Sequence, residues 1–322
     1  MIAYALRRLG AAVIVVMAIS ILVFLMFFAT PGVDPAARIA GRNATPATLA
    51  QVRIAFGLDE PIWVRYLRMM QHLFVSRDLT SYVNRGQLII PEINRALAVT
   101  LSLAIGAAVL WMIAGVAMGV LAAHFKGTPI DSFVMLLGIF GVSLPVYWLS
   151  ELTNLLTQSR LHSSIFSWVP PLGYVPLTQD PVQWALHLLF PWLTLAVLYA
   201  GIYGRLLRGE LITALNEDYV RAARAKGISE RRVLFRHALR CSLLPVVSTF
   251  GLDFGTLVGG TALLTEVVFA LPGIGLLTYG ALQQLDLPVI MATVLYAAFF
   301  VVLANAIVDV LYARLDPTVR IG

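Results

Sequence analysis

Six apolar runs decide what this chain can fold into. They lie at about Leu9–Ala29, Ala96–Ala123, Ile130–Thr157, Val182–Leu207, Ser242–Ala270 and Pro288–Tyr312. Each reaches the roughly 20 residues a helix needs to cross a bilayer core. Lipid offers no partner to backbone N–H and C=O groups, so such runs must satisfy them within the segment, as helices do. The expected fold class is an all-α integral membrane protein with six transmembrane helices. Composition agrees: 59% of the 322 residues are hydrophobic and 12% charged, where soluble domains carry about a quarter charged residues. The formal charge of +6 sits largely between the runs, which sets nucleic acid aside. Arg7 and Arg8 precede the first run. A cleaved leader would have an apolar core of about 7–15 residues, so a retained helix is the favoured reading. The chain divides into an N-terminal transmembrane helix (1–30), a segment outside the membrane (31–95) and a five-helix domain (96–322).

One polar stretch interrupts this pattern, from Asn216 to Pro245. It carries Arg221, Arg224, Lys226, Arg231, Arg232, Arg236 and Arg240 against Glu217, Asp218 and Glu230. Lipid would not solvate such an island, so it faces water or another protein. Glu217 and Asp218 suit the first turn of a short helix, where the macrodipole favours negative charge. Ala222, Ala223 and Ala225 are strong helix formers with little bulk, so the spacing predicts a face that a partner can approach closely. Gly227 is placed to end that helix in a left-handed turn. Ser229 is placed to cap a second helix running to about Arg240.

This arrangement resembles the cytoplasmic coupling loop of ABC importer permeases, whose pattern is Glu-Ala-Ala, a Gly a few residues on, and Leu-Pro at the next membrane helix. The matching residues are Glu217 or Asp218, Ala222, Ala223, Gly227 and Leu244-Pro245, within a loop spanning 208–241. The fuller string from Asp218 to Pro245 is similar to the dipeptide/oligopeptide branch. So is Gly57-Leu58-Asp59-Glu60-Pro61 with Tyr66-Leu67, and so is the ending through Asn305, Asp309 and Leu315-Asp316-Pro317. Members usually continue with Gly-Asp-Leu-Gly and Leu-Pro-x-Thr. Here Arg77-Asp78-Leu79-Thr80 and Leu97-Ala98-Val99-Thr100 stand instead, which leaves the outer mouth's detailed shape open. Glu266, Phe269, Pro272, Gly273 and Gly275 match the family's Glu-x-x-Phe-x-x-Pro-Gly-x-Gly; the resemblance implies that they shape the outer mouth or meet a binding protein.

The resemblance implies a type I importer permease with cytoplasmic coupling helices. It implies a second homologous permease, two cytoplasmic ABC ATPase subunits, an extracytoplasmic solute-binding protein, and a place in the cell membrane. Peptides are the expected solute, with nickel chelates, glutathione or haem as alternatives. No cofactor is expected. The sequence has no phosphate-cradling Gly-rich loop with Lys-Ser/Thr, so ATP hydrolysis is expected in separate subunits. His72, His124, His162, His187 and His237 are scattered without ligand spacing, and no metal site or catalytic set is expected. Cys241, the single cysteine, reads as a small apolar residue.

Inside the apolar runs a few residues stand out. Gly251, Gly255 and Gly259 recur every four positions, as do Gly115 and Gly119, and such faces let membrane helices approach closely. Asp253 lies about eleven residues into the fifth run, roughly 16 Å along a helix. It points away from the glycine face. Lining a solute path and making a structural hydrogen bond both stay open for it, and equally for Glu151. Ser143-Leu144-Pro145 predicts a kink, which the resemblance places beside the path. An ion-coupled secondary transporter using Asp253 or Glu151 is the other class considered, and a membrane enzyme the third. Lys and Arg counts in the short loops put both termini in the cytoplasm. Arg7, Arg8, Lys126, the 205–240 cluster, Arg314 and Arg320 fall inside, and Arg160 alone falls in a short outside loop.

Overall fold

The computed structural model describes residues 2–28, 36, 45–55, 57–84, 86–158, 162 and 165–315. The boundary at residue 30, Arg160, Asp316-Pro317 and Arg320 lie outside them. The described residues form helices joined by turns, with one isolated antiparallel bridge, Thr80–Leu88. In chain order the helices are α1 (Ile2–Phe28), α2 (Pro46–Ala55), α3 (Ile62–Met70), α4 (Ile89–His124), α5 (Pro129–Ser143) and α6 (Val146–Gln158). There follow α7 (Pro181–Leu215), α8 (Asp218–Ala225), α9 (Glu230–Thr261), α10 (Leu263–Val268), α11 (Ile274–Gln284) and α12 (Leu287–Leu315).

Helices α4, α7, α9 and α12 are each long and apolar enough to cross a membrane. The pair α5–α6 passes the same test jointly, and α1, 27 residues long, supplies the remaining apolar run. Their contacts give their relative directions. Gly115 lies on Tyr203 and Gly119 on Leu207, so α4 and α7 run parallel. Asp131 meets Arg208 while Gly141 meets Val197, so α5 runs antiparallel to α7. Gly255 meets Ala304 and Gly259 meets Val301, so α9 and α12 are antiparallel. This is the alternation six successive spans require.

The α4–α7 crossing is the centre of the main core, with Leu103, Trp111, Leu195, Tyr203 and Leu207 all fully buried. Lipid is as apolar as these side chains, so close packing supplies the stability. A Cβ on Gly115 would stand 2.7 Å from the Tyr203 Cβ, and one on Gly119 2.8 Å from the Leu207 Cβ. Only glycine permits that approach. The predicted packing role holds for Gly255 as well, whose Cβ would lie 2.6 Å from that of Ala304.

The predicted kink at Ser143-Leu144-Pro145 is present and sharp: α5 and α6 meet at 94°. Pro145 disfavours the helical region for the residue before it, and Leu144 is extended at φ −91°, ψ 122°. The fourth helix runs on to Leu215, eight residues past the apolar run, because Arg205, Arg208, Glu210 and Leu211 are good helix formers whatever their polarity. The second polar helix does not end near Arg240. From Glu230 it continues through a π turn at Val233–Ala238 into the fifth span, and Ser229 precedes it without a side-chain cap bond. No Gly or Pro falls between Glu230 and Leu244 to break it. Its end is at Gly260, where φ is +150°, a value suited to glycine.

The segment before α4 packs on protein. Met69 and Leu73 are buried with Phe24 of α1, Ile89 and Ile93 of α4, and Leu287 and Ile290 of α12. Tyr66 shares a 2.6 Å hydrogen bond with Ser20. Asp286, 3% exposed, accepts from the Ser81 hydroxyl and, at 3.1 Å, from the Tyr82 N–H.

Candidate functional site

Helix α8 forms as the spacing predicts. Glu217 occupies the N-cap position with extended backbone and Asp218 the first turn, though neither side chain caps. At the other end Gly227 has φ +76°. The Gly227 N–H donates to the Arg224 carbonyl at 2.9 Å and the Ile228 N–H to the Ala223 carbonyl at 3.3 Å, the pairing of a left-handed helix stop. A Cβ at Gly227 would meet nothing within 4 Å, so backbone conformation alone requires glycine there.

The two alanines fall on different faces of α8. Ala223 is 7% exposed and packs with Val220 and Val233, both fully buried, against Leu215 and Ile228. Ala222 is exposed. The expectation that both limit a partner's approach is therefore corrected. The outer face of α8 is Tyr219, Ala222 and Lys226, at helical spacing, with Asp218 and Ala225 beside it, all exposed. Partial burial and the adjacent Cys241 thiol push the Tyr219 phenol up to about 12, so this face offers a neutral hydroxyl. Cys241 itself is exposed.

Charged side chains fix α8 to its neighbours. Arg224 grips Glu230 through two contacts, 2.8 and 3.2 Å, and donates to the Leu215 carbonyl at 3.3 Å. Arg221 donates to the Asn216 carbonyl at 3.1 Å. A further link lies one layer deeper. Arg208 of α7 donates in bidentate fashion to Asp131 of α5, at 2.6 and 2.7 Å, and the Gly127 N–H donates to the same carboxylate at 3.0 Å. Asp131 is 5% exposed. Two oxygens facing a planar guanidinium make this a geometrically specific pair. The sequence reading missed it, because 77 residues separate the partners.

Asp253 and Glu151 stay apart. Asp253 is half-buried and accepts 2.8 Å from the hydroxyl of Tyr203, a fully buried residue. Tyr203 carried no signal in the sequence beyond a phenol in a membrane run. Glu151 is exposed on α6. Ser143 and Pro145, also exposed, mark the α5–α6 break, with the Ser143 hydroxyl donating to the Ile139 carbonyl at 2.8 Å. Neither reaches Asp253.

Along α9, Ser248, Thr249, Asp253 and Thr256 fall within an arc of about 140° by the 3.6-residue turn. The two nearer the start and Asp253 are half-buried, and Thr256 is exposed. Their hydroxyls donate to backbone carbonyls of the same helix: Ser248 to Leu244, Thr249 to Pro245 and Thr256 to Asp253, at 2.9–3.1 Å.

Glu266 is fully buried. One carboxylate oxygen accepts from the Thr100 hydroxyl at 2.7 Å; the other accepts from the Gly275 and Leu276 N–H groups at 2.7 and 3.1 Å. The Thr100 oxygen in turn accepts from the Ile274 N–H at 2.9 Å. Glu266 thus ties α10 to α4 and to the first turn of α11, where the helix dipole favours an anion. Phe269 is 4% exposed. Neither side chain reaches a surface that a binding protein could touch, which corrects that half of the expectation and leaves the shaping role. Pro272, exposed, and Gly273 line a cavity of about 750 Å³ together with Glu92, Arg95, Tyr174 and Asp286. That cavity and α8 sit at opposite ends of the bundle, since α4 and α7 both start beside the cavity and α7 ends at α8.

Comparison with known proteins follows the same lines. The sequence profile of the family described as binding-protein-dependent transport system inner membrane component matches residues 115–321, and a profile for the N-terminal part of such membrane components matches residues 1–104. The chain is 38% identical over 320 residues to a putative peptide transport system permease protein of Brucella abortus, covering 99% of each. It is 36% identical over 320 residues to the glutathione transport system permease protein of Salmonella typhimurium, again covering 99% of each. It is 33% identical over 341 positions to the dipeptide transport system permease protein of Alkalihalophilus pseudofirmus, covering 99% of this chain and 100% of that one.

Proposed function

This chain belongs to the family of inner membrane components of binding-protein-dependent transport systems, and from that premise we propose that it is the permease subunit of an ATP-driven peptide importer. It is a multi-pass membrane protein and a transport subunit. In the assembly we propose, it pairs with a second, homologous permease. Two cytoplasmic ATPases dock on α8, and an extracytoplasmic binding protein delivers solute at the cavity end. Both termini and the 208–241 loop are cytoplasmic, and residues 31–95 are extracytoplasmic. Peptide is the solute named for two of the three relatives above, and the third carries glutathione, itself a peptide in chemistry.

The observation that carries this reading is the build of α8. It is a short helix with an exposed outer face, an inner face packed on the end of α7 and the start of α9, an ion pair to α9 and a hydrogen bond to the last carbonyl of α7. Closure of the ATPases would displace α8, and two membrane helices would move with it, since α9 continues into the fifth span without a break. Packed elements of this kind switch between discrete arrangements rather than deform continuously. The Asp131–Arg208 pair extends the connection to α5. Alternating access follows: the path opens at the cavity end to receive solute and at the α8 end to release it.

Proteoliposomes holding both permeases, the ATPases and the binding protein test this directly. Uptake of a labelled dipeptide is expected with ATP inside the vesicle compartment that the ATPases face, and not with an ion gradient alone. Uptake driven by the gradient without ATP would replace this reading by the ion-coupled one, with Asp253 or Glu151 as the coupling carboxylate.

A further inference from the structure

We propose that the membrane path selects solutes by a protonated amine, and that Asp253, held by Tyr203, is the residue that reads it. The proposal rests on the importer reading above. Within residues 9–28, 97–121, 132–157, 182–204, 242–261 and 287–307, the only Asp, Glu, Lys or Arg residues are Glu151 and Asp253. The interior field of this subunit therefore has one sign. A carboxylate inside a membrane protein is costly unless it faces a wet cavity or a partner, and Asp253 is only half-buried, with one partner, Tyr203, on its inner side.

The face around it points the same way. Ser248 and Thr249 use their hydroxyl protons on carbonyls of their own helix, while the Thr256 hydroxyl meets that of Tyr199. A hydroxyl has one proton and two lone pairs, so what Ser248 and Thr249 direct outward is acceptor capacity. A carboxylate and two acceptor hydroxyls complement a group that brings donors and positive charge: the ammonium of a lysine side chain. A solute carboxylate would find no cation on this face. The Tyr203 hydroxyl holds one Asp253 oxygen, leaving the other for the solute.

The test uses the assembled transporter with its binding protein in proteoliposomes, and three probes: alanyl-lysine, alanyl-alanine and alanyl-glutamate. Binding-protein preference is the same for every permease variant, so it cancels when each variant's uptake ratios are divided by those of the wild type. Asp253→Asn is expected to lower the alanyl-lysine to alanyl-glutamate uptake ratio about tenfold, the order expected for losing one hydrogen bond to a charged group. Tyr203→Phe, which frees the carboxylate to reorient, is expected to change the same ratio by a smaller factor, with the KM for the loaded binding protein unchanged in both variants. Unchanged ratios in both variants overturn the proposal, as does an equal loss for all three probes, which marks a structural hydrogen bond. If Asp253→Asn fails to assemble, the Tyr203→Phe ratio decides alone. A wild-type complex that takes up none of the three probes overturns the peptide reading, and this proposal with it. Uptake with unaltered ratios overturns this proposal only.

Discussion

A carboxylate that accepts three hydrogen bonds in a dry site can be exchanged for an amide only if one donor changes role. At Glu266 it can. In Glu266→Gln the amide oxygen takes the Gly275 and Leu276 N–H groups, and the amide nitrogen donates to the Thr100 hydroxyl, whose proton turns elsewhere. Glu266→Leu has no such exchange. It strands two backbone donors at the start of α11, at about 1–3 kcal/mol for each buried group left unpaired. The expected outcome is a clear fall in the thermal unfolding midpoint of the detergent-solubilised complex for the leucine variant and a small one for glutamine. Equal midpoints for Glu266→Leu and wild type would remove the clamp. The same bonds explain the spacing Glu-x-x-Phe-x-x-Pro-Gly-x-Gly without reference to a partner. Gly275 must present its N–H to the carboxylate while a Cβ there would crowd Leu263, 2.5 Å from its Cα. The pattern was legible in the sequence, but its meaning was not. Burial depends on α4, which supplies Thr100 from 166 residues away.

At the scale of elements, α8 separates two substitutions that a helical wheel drawn without its neighbours treats alike. Ala222→Trp adds bulk to an exposed face, so the permease should assemble normally while the ATPases fail to copurify and solute-stimulated ATP hydrolysis is lost. Ala223→Trp adds the same bulk between Val220, Val233 and Leu215. Overpacking of that kind costs about 1–3 kcal/mol or more, so it should lower the stability of the permease before it reports on docking. Gly227→Val should resemble Ala222→Trp in phenotype by misplacing the helix, because a β-branched residue resists positive φ. Normal ATPase copurification and stimulated hydrolysis in Ala222→Trp would remove α8 from the docking surface. Helix existence and the Gly227 stop could be read from local signals, since both depend on residues within one or two turns. The continuity of α9 could not: a polar stretch followed by an apolar one looks like two elements, yet the backbone carries no breaker between them. The kink at Leu144–Pro145 was legible from its proline, but its size, 94°, was not, because that depends on how α6 packs beyond it.

At the scale of the whole molecule, the helix directions leave one binary choice. Contacts along α4, α5, α7, α9 and α12 place the 79–89 turn, the loop before α7 and α11 at one end, and α8 at the other. On the proposed reading, the Lys and Arg asymmetry puts α8 in the cytoplasm, where ATPases would dock. This orientation is tested with single cysteines introduced into a Cys241→Ser background, which removes the one exposed native thiol. Val83→Cys, Ser167→Cys and Gln284→Cys are exposed positions at the cavity end, and Ser229→Cys is an exposed position beside α8. In intact cells or right-side-out vesicles, a membrane-impermeant maleimide should label the first three and leave 229 unlabelled until the membrane is permeabilised. Because the helices alternate as one packed unit, the four positions cannot respond independently. Labelling at 229 from outside, with the other three protected, would invert the whole bundle and withdraw the ATPase docking role from α8. Mixed labelling of 83 and 284, whose segments are joined through Ser81, Tyr82 and Asp286, would instead contradict the packing of the outer end.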